Sequence, residues 1–286
     1  MYDSSNFSAS GIEFIPLPGN HETDASKKNS SGDKVEYPES ANLAAWITWV
    51  ETNQFVRADN GPSGKEEMKR DLLAEDNNQT LTYSFDDINT GVHYILLNTD
   101  SLSTVSNPRL PEKTVPSWAP LHWVERDLVK ASNNPNIKRI VVLAHKPLVL
   151  DNPGPHDIVH NTAPYTLGDS LLKLFSETPK FSGYFSAHSH QWLYTDKLGP
   201  RQNVTQVIAG NAGSKLISKW APEDGTYFGF TVVNLYDDNT IGVVSYARPA
   251  PTPYNSLAPQ PAAKPSMEII FPVVGHANTE MKSTVH

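Results

Sequence analysis

Cysteine is absent from all 286 residues, which excludes disulfides and thiolate-bound metals together. A metal in this chain has only nitrogen and oxygen to hold it, a donor set that suits zinc, manganese, iron or magnesium. Long apolar runs are missing too, and no stretch approaches the roughly 18 residues that mark a membrane span. The opening Met1-Tyr2-Asp3-Ser4-Ser5-Asn6 has neither a basic nor an apolar segment, so it does not read as a signal peptide. The compartment stays open, because an export signal upstream of Met1 would not be visible. Positive charge is in deficit, with 23 Lys and Arg against 31 Asp and Glu and a net charge of −8. Nucleic-acid grip comes from Lys and Arg neutralising phosphates, so that function class is disfavoured. A small phosphorylated substrate is not, since bound cations would invert the local field.

What is present is enough for a sizeable core: 38% hydrophobic residues and six Trp. The length fits one large domain, or one domain with appendages. Gly11 to Leu17 reads as a short strand, and residues 24–38 as a solvated polar loop. Leu43, Trp46, Ile47 and Val50 recur at helical spacing behind Ser40. Tyr83 to Phe85 and Val92 to Leu97 read as strands joined through Asn89-Thr90-Gly91. A Pro-rich loop (Pro108, Pro111, Pro116, Pro120) precedes a helix carrying Leu121, Val124 and Leu128. Ile137 to Leu143 is an apolar strand, Leu171 to Phe175 a helix, and Phe181 to Phe185 another strand. Val204 to Ala209, Tyr227 to Tyr236 and Thr240 to Tyr246 follow as strands only. That order predicts α/β material closing on a β layer. The expected domain spans 1–247, and 248–286, with seven of the 23 prolines, reads as an extended tail, partly laid on the body and partly disordered.

Three short clusters carry chemistry: Pro18-Gly19-Asn20-His21-Glu22, Leu143-Ala144-His145-Lys146-Pro147 and Ala187-His188-Ser189-His190. Each follows an apolar, β-like run, so each is expected just beyond the carboxyl end of a strand, where open α/β sheets build their sites. On a strand, a His-x-His pair would aim His188 and His190 the same way. Lys146-Pro147 forces an abrupt turn that holds His145 at the rim. Gly19 permits a tight turn or a close backbone approach. The Asn20 amide oxygen is a neutral hard ligand, and an imidazole such as that of His21 suits proton donation. His93 and His122 read as packing or surface residues, and His156 and His160 as solvated loop residues. Gly210 to Ser214 reads as a turn rather than a phosphate nest, and Trp192 as core or rim packing.

In this order, Gly19-Asn20-His21-Glu22, then Ala144-His145, then Ala187-His188-Ser189-His190, the chain resembles the calcineurin-like metallophosphoesterases, which include purple acid phosphatases and cyclic-nucleotide phosphodiesterases. The resemblance covers roughly residues 11–247. It implies a four-layer α/β/β/α fold and hydrolysis of a small-molecule phosphomonoester or phosphodiester by water activated between two divalent ions. It further implies Asn20, His145 and His188 as ligands of the second metal and His190 as a ligand of the first. His21 would then be the catalytic imidazole.

Two departures stand out. Ala187 replaces the family's glycine ahead of His-x-His. The family's Asp-x-His and Gly-Asp-x-x-Asp motifs, which supply most first-metal ligands, have no counterpart in the 18 residues before Gly19, where Asp3 is the only Asp. The expectation is therefore a domain incomplete at its N-terminus, with unpaired strand edges and a weakened metal site. Two other readings stay open: a remnant with one weak metal site or none, and a β-rich module that uses Trp and Tyr on sugars or peptides.

Overall fold

A computed structural model describes residues 11–28, 30–32, 34–38, 40–53, 60–62, 81–100, 119–150, 157–161, 167–248, 264–272 and 283–284. Short apolar segments rich in β-branched residues form its centre. β3 (Tyr83–Asp87), β4 (Val92–Leu97), β5 (Arg139–Ala144), β6 (Phe181–Ser186), β7 (Trp192–Leu198) and β8 (Val204–Ala209) make a six-stranded sheet in the order β3-β4-β5-β6-β8-β7. β4, β5, β6 and β8 run parallel, while β3 and β7 close the edges antiparallel. The carboxyl ends of four strands therefore lie along one rim.

The period of two decides which side each residue faces. Ile140 and Val142 belong to one apolar cluster, and Val141 and Leu143 to the opposite one. The first face is covered by α3 (Leu121–Asn133), α5 (Leu167–Glu177) and the short α4 (Ile158–Asn161), which bring Val124, Leu128, Ile158, Leu171 and Phe175. Full burial of each such side chain contributes roughly 1.5–3 kcal/mol. The second face packs on a smaller sheet of β9 (Gly229–Leu235), β10 (Thr240–Ala247), β11 (Lys264–Pro272) and β12 (Ser283–Thr284), ordered β12-β11-β10-β9. Ile241, Val243, Phe271, Val207 and Trp192 meet between the two sheets. The α/β fold class is as expected: two facing sheets with helices outside the larger one. β9 is an edge strand and leaves Phe230, Val232 and Val233 exposed. No helix among the described residues is long and apolar enough to cross a membrane.

Several local expectations are corrected. Gly11 to Leu17 forms no strand; Pro16 and Pro18 lack the N–H that a ladder needs, and Ile15 and Leu17 instead pack beside Tyr83 and Phe85. Residues 24–38 are not simply loop. β1 (Asp24–Lys28) and β2 (Lys34–Pro38) pair antiparallel from Asp24 with Pro38 to Lys28 with Lys34. Beyond Arg248 the part laid on the body is a paired strand. β11 pairs along β10 from Thr240 with Pro272 to Ala247 with Lys264, and Phe271 is buried between the sheets. The physical reason is the apolar run Met267 to Phe271, which has the alternation a sheet face requires. The helix behind Ser40 is α2 (Ser40–Asn53), with Leu43 and Val50 buried. Pro108, Pro111, Pro116 and His156 lie outside the described residues.

Candidate metal centre

β5 and β6 are neighbours paired in parallel, with Leu143 opposite Phe185. The pairing extends past the strand ends, where the Ala187 N–H donates to the His145 carbonyl at 3.0 Å. His145 and His188 thus leave adjacent strand ends, and their ring centroids stand 4.8 Å apart. Nδ1 of His188 lies 2.9 Å from Nε2 of His145. The same Nε2 lies 2.9 Å from Oδ1 of Asn20. Asn20 does not follow a strand, contrary to expectation; it opens α1 (Asn20–Thr23), a single helical turn.

Gly19 and Glu22 explain how that turn is set. A Cβ on Gly19 would sit 2.7 Å from two atoms of the His145 ring, so only glycine allows this approach. The Gly19 N–H donates to Oε2 of Glu22 at 2.8 Å. Glu22 therefore holds a loop amide.

His188 and His190 are not on a strand. They occupy a bend with φ of 51° and 50°, a left-handed conformation that costs non-glycine residues energy and persists only where neighbours enforce it. Here the Ser189 N–H donates to Ala187 O at 2.6 Å, Ile217 N–H to His190 O at 3.2 Å and Gly210 N–H to Gln191 O at 3.0 Å. The bend, not a pleat, aims both imidazoles at one cavity of about 370 Å³. That cavity is lined by Asn20, His21, His145, His188 and His190 on one side and by residues from Ala209 to Ile217 on the other. All five residues expected at the site thus line one cavity, with Asn20 and His188 both in contact with His145. His21 is exposed at the rim.

The donor set fits a divalent cation. One ring nitrogen can donate or accept but not both, so His145 Nε2 cannot donate to the Asn20 oxygen and also accept from His188 Nδ1. A cation takes one lone pair from each. Two atoms bound tetrahedrally to one zinc at about 2.0–2.1 Å stand about 3.3 Å apart, which small side-chain rotations would reach. Burial lowers the His145 pKa, with Lys146 reinforcing the shift and Asp100 and Glu22 opposing it; the neutral imidazole is the form that binds metal. No group of three or more His, Cys, Asp or Glu around one metal occurs among the described residues. The trio here is two imidazoles and a carboxamide.

Sequence reasoning passed over the residues behind this trio. Asp100 is fully buried, and its Oδ1 lies 3.1 Å from Nζ of Lys146. Burial would raise the Asp100 pKa, but Lys146, His145 and His188 pull it below the usual carboxylate range. The signal was the polar triplet Asn98-Thr99-Asp100, which follows the apolar β4 at the same rim. His93, read as packing or surface, is buried and bonded at both ring nitrogens, to Asp86 at 2.6 Å and Asp127 at 2.9 Å. Trp192 is buried, as a core residue on β7.

No curated protein matches the chain. Among solved structures it is similar to one titled "Structure of PhoD", with a TM-score of 0.50 and 9% identity. The similarity covers 84% of this chain and 48% of that one, so the chain spans about half the length of that protein. At this identity the likeness speaks to the fold alone. The calcineurin-like phosphoesterase family model matches residues 3–192, which carry Asn20, His21, His145, His188 and His190 in their order. With that match over more than half its length, the chain belongs to the calcineurin-like phosphoesterase family, whose members are generally hydrolases that use divalent metals.

Proposed function

We propose that the chain is a metal-dependent phosphoesterase domain acting on a small phosphomonoester or phosphodiester. The observation that carries this reading is the convergence on His145 Nε2 of Asn20 Oδ1 and His188 Nδ1, each 2.9 Å from it. These three side chains would hold one divalent ion, and His190, from the same cavity wall, would contribute to a second. Zinc, manganese or iron suits the donors. Such ions, when bound, supply Lewis acidity toward a phosphoryl oxygen and an activated water. His21, exposed at the rim, would give a proton to the departing oxygen. No Lys or Arg is among the described residues lining the cavity, so a phosphate there would depend on bound cations for charge neutralisation.

A second reading is favoured by one observation: no carboxylate lines the cavity among the described residues. Neutral ligands hold a dication more weakly than a mixed carboxylate–imidazole shell, so the alternative is a remnant with a single weak site. Calorimetric titration with zinc or manganese separates the two. Two tight ions, with hydrolysis of p-nitrophenyl phosphate that His188→Ala abolishes, are the expected result for the enzyme. One weak ion without hydrolysis would replace the enzyme with the remnant, and no binding at all would end the enzyme and leave only a remnant without a metal site or a binding module.

A further inference from the structure

The turns that carry Asn20 and His145 lie far apart in sequence, yet both hang on the dipeptide Thr99-Asp100. The Thr23 hydroxyl, at the end of α1, lies 3.2 Å from the Asp100 carbonyl and 3.3 Å from the Gly19 carbonyl. Its single hydrogen serves one of them at a time. Thr99 Oγ1 accepts the Lys146 N–H at 3.1 Å. The Asp100 carboxylate pairs with the Lys146 ammonium at 3.1 Å, the two side chains being 0% and 5% exposed. Asp100 itself is fixed from behind, since its N–H donates to Asn98 Oδ1 at 3.0 Å and the Asn98 N–H donates to Thr82 Oγ1 at 3.1 Å. The Tyr184 hydroxyl donates to the Lys146 carbonyl at 2.7 Å, tying the same turn to β6.

Stability alone is a poor reason for a charged pair in this position. Desolvating two ions costs about as much as their attraction returns, and apolar residues of similar volume often do as well or better. The position of the pair is the informative part. Lys146 immediately follows His145, and Asp100 lies in the segment that braces the Asn20 turn. Asp100 also acts electrostatically on both His145 and His188. We propose that Asp100, through its buried pair with Lys146, is a positioning residue that holds the Asn20 and His145 turns in one frame and so sets the geometry of the cation site. This rests on the reading that Asn20, His145 and His188 bind a divalent ion. Asp100 does not itself line the cavity, so it acts through those ligands.

The test uses the full chain, zinc chloride titrated by calorimetry, and thermal unfolding without metal. D100L/K146M replaces the pair with apolar side chains. It is expected to unfold within a few degrees of the parent chain yet to bind zinc about 10–100-fold more weakly, the range known for residues that orient metal ligands. D100N, which keeps the shape and removes the charge, is expected to weaken zinc by about tenfold or more. It is read on its own if the double variant does not fold. Zinc affinity within about threefold of the parent chain in whichever variant folds would overturn the proposal, because orienting residues change affinity by more than that. If the parent chain binds no zinc, the underlying reading fails and the positioning role fails with it. If the parent binds zinc and the variants bind it equally well, only the positioning role is lost.

Discussion

Nδ1 of His188 lies 2.9 Å from Nε2 of His145, although 43 residues separate them in the chain. Parallel pairing of β5 with β6 produces this meeting, since it delivers both residues to one rim at adjacent strand positions. The chemistry of the site follows from topology first and from side-chain type second.

Gly19 is where the backbone and the His145 imidazole compete for one space. In Gly19→Ala the new methyl would stand 2.7 Å from the His145 ring, so the ring must move. Zinc affinity is expected to fall about 10–100-fold, as when a ligand loses its orientation, with little change in the melting temperature of the metal-free chain. Calorimetry and thermal unfolding measure the two separately. A large loss of stability with unchanged affinity would place Gly19 in the fold rather than the site.

Zinc should also stabilise the fold, because a ligand that binds only the native state adds to its stability. At free zinc one hundred times the dissociation constant the gain is about 2.7 kcal/mol. For a chain of this size that raises the melting temperature by roughly 4–5 °C. A chelator should reverse the shift, and His188→Ala should show none. An equal shift in His188→Ala would mean that zinc binds elsewhere.

The buried His93 predicts a pH dependence remote from the site. Burial alone would lower its pKa, but hydrogen bonds and charge from Asp127 and Asp86 outweigh burial and raise it. Stability from this cluster is therefore complete below the unfolded value of about 6.5 and is lost as pH rises through the higher native value. Removing one partner of a buried ion pair costs about 3–5 kcal/mol, so His93→Gln should be destabilised by about that much near pH 6. The gap in melting temperature to the parent chain should narrow as pH rises. A gap that is constant or widens with pH would show that His93 is neutral in the native state.

Strand-end delivery was legible where a strand is a short apolar run with a polar stop, as at Ile140 to His145 and Phe181 to His188. Helices α3 and α5 were legible for the same kind of reason, since Val124 with Leu128, and Leu171 with Phe175, recur at helical spacing. The conformation of the His188–His190 bend was not. Its positive φ values are imposed by contacts with Gly210, Ile217 and the end of β5, and local propensity cannot reveal such tertiary demands. β7 was missed because Trp192 to Leu198 mixes Thr, Asp and Lys with apolar residues, and its pairing with β8 decides its state more than its composition does. His93 looked partnerless because Asp127 is 34 residues away and on a helix. Thr99 and Asp100 gave the faintest signal, since their importance lies in what they connect.

Anomalous diffraction from crystals soaked in zinc tests the convergence of the three proposed ligands most directly. The account predicts a peak about 2.0–2.2 Å from His145 Nε2, His188 Nδ1 and Asn20 Oδ1 together. A peak bound to other residues, or fully exchanged crystals with no peak in this cavity, would contradict it.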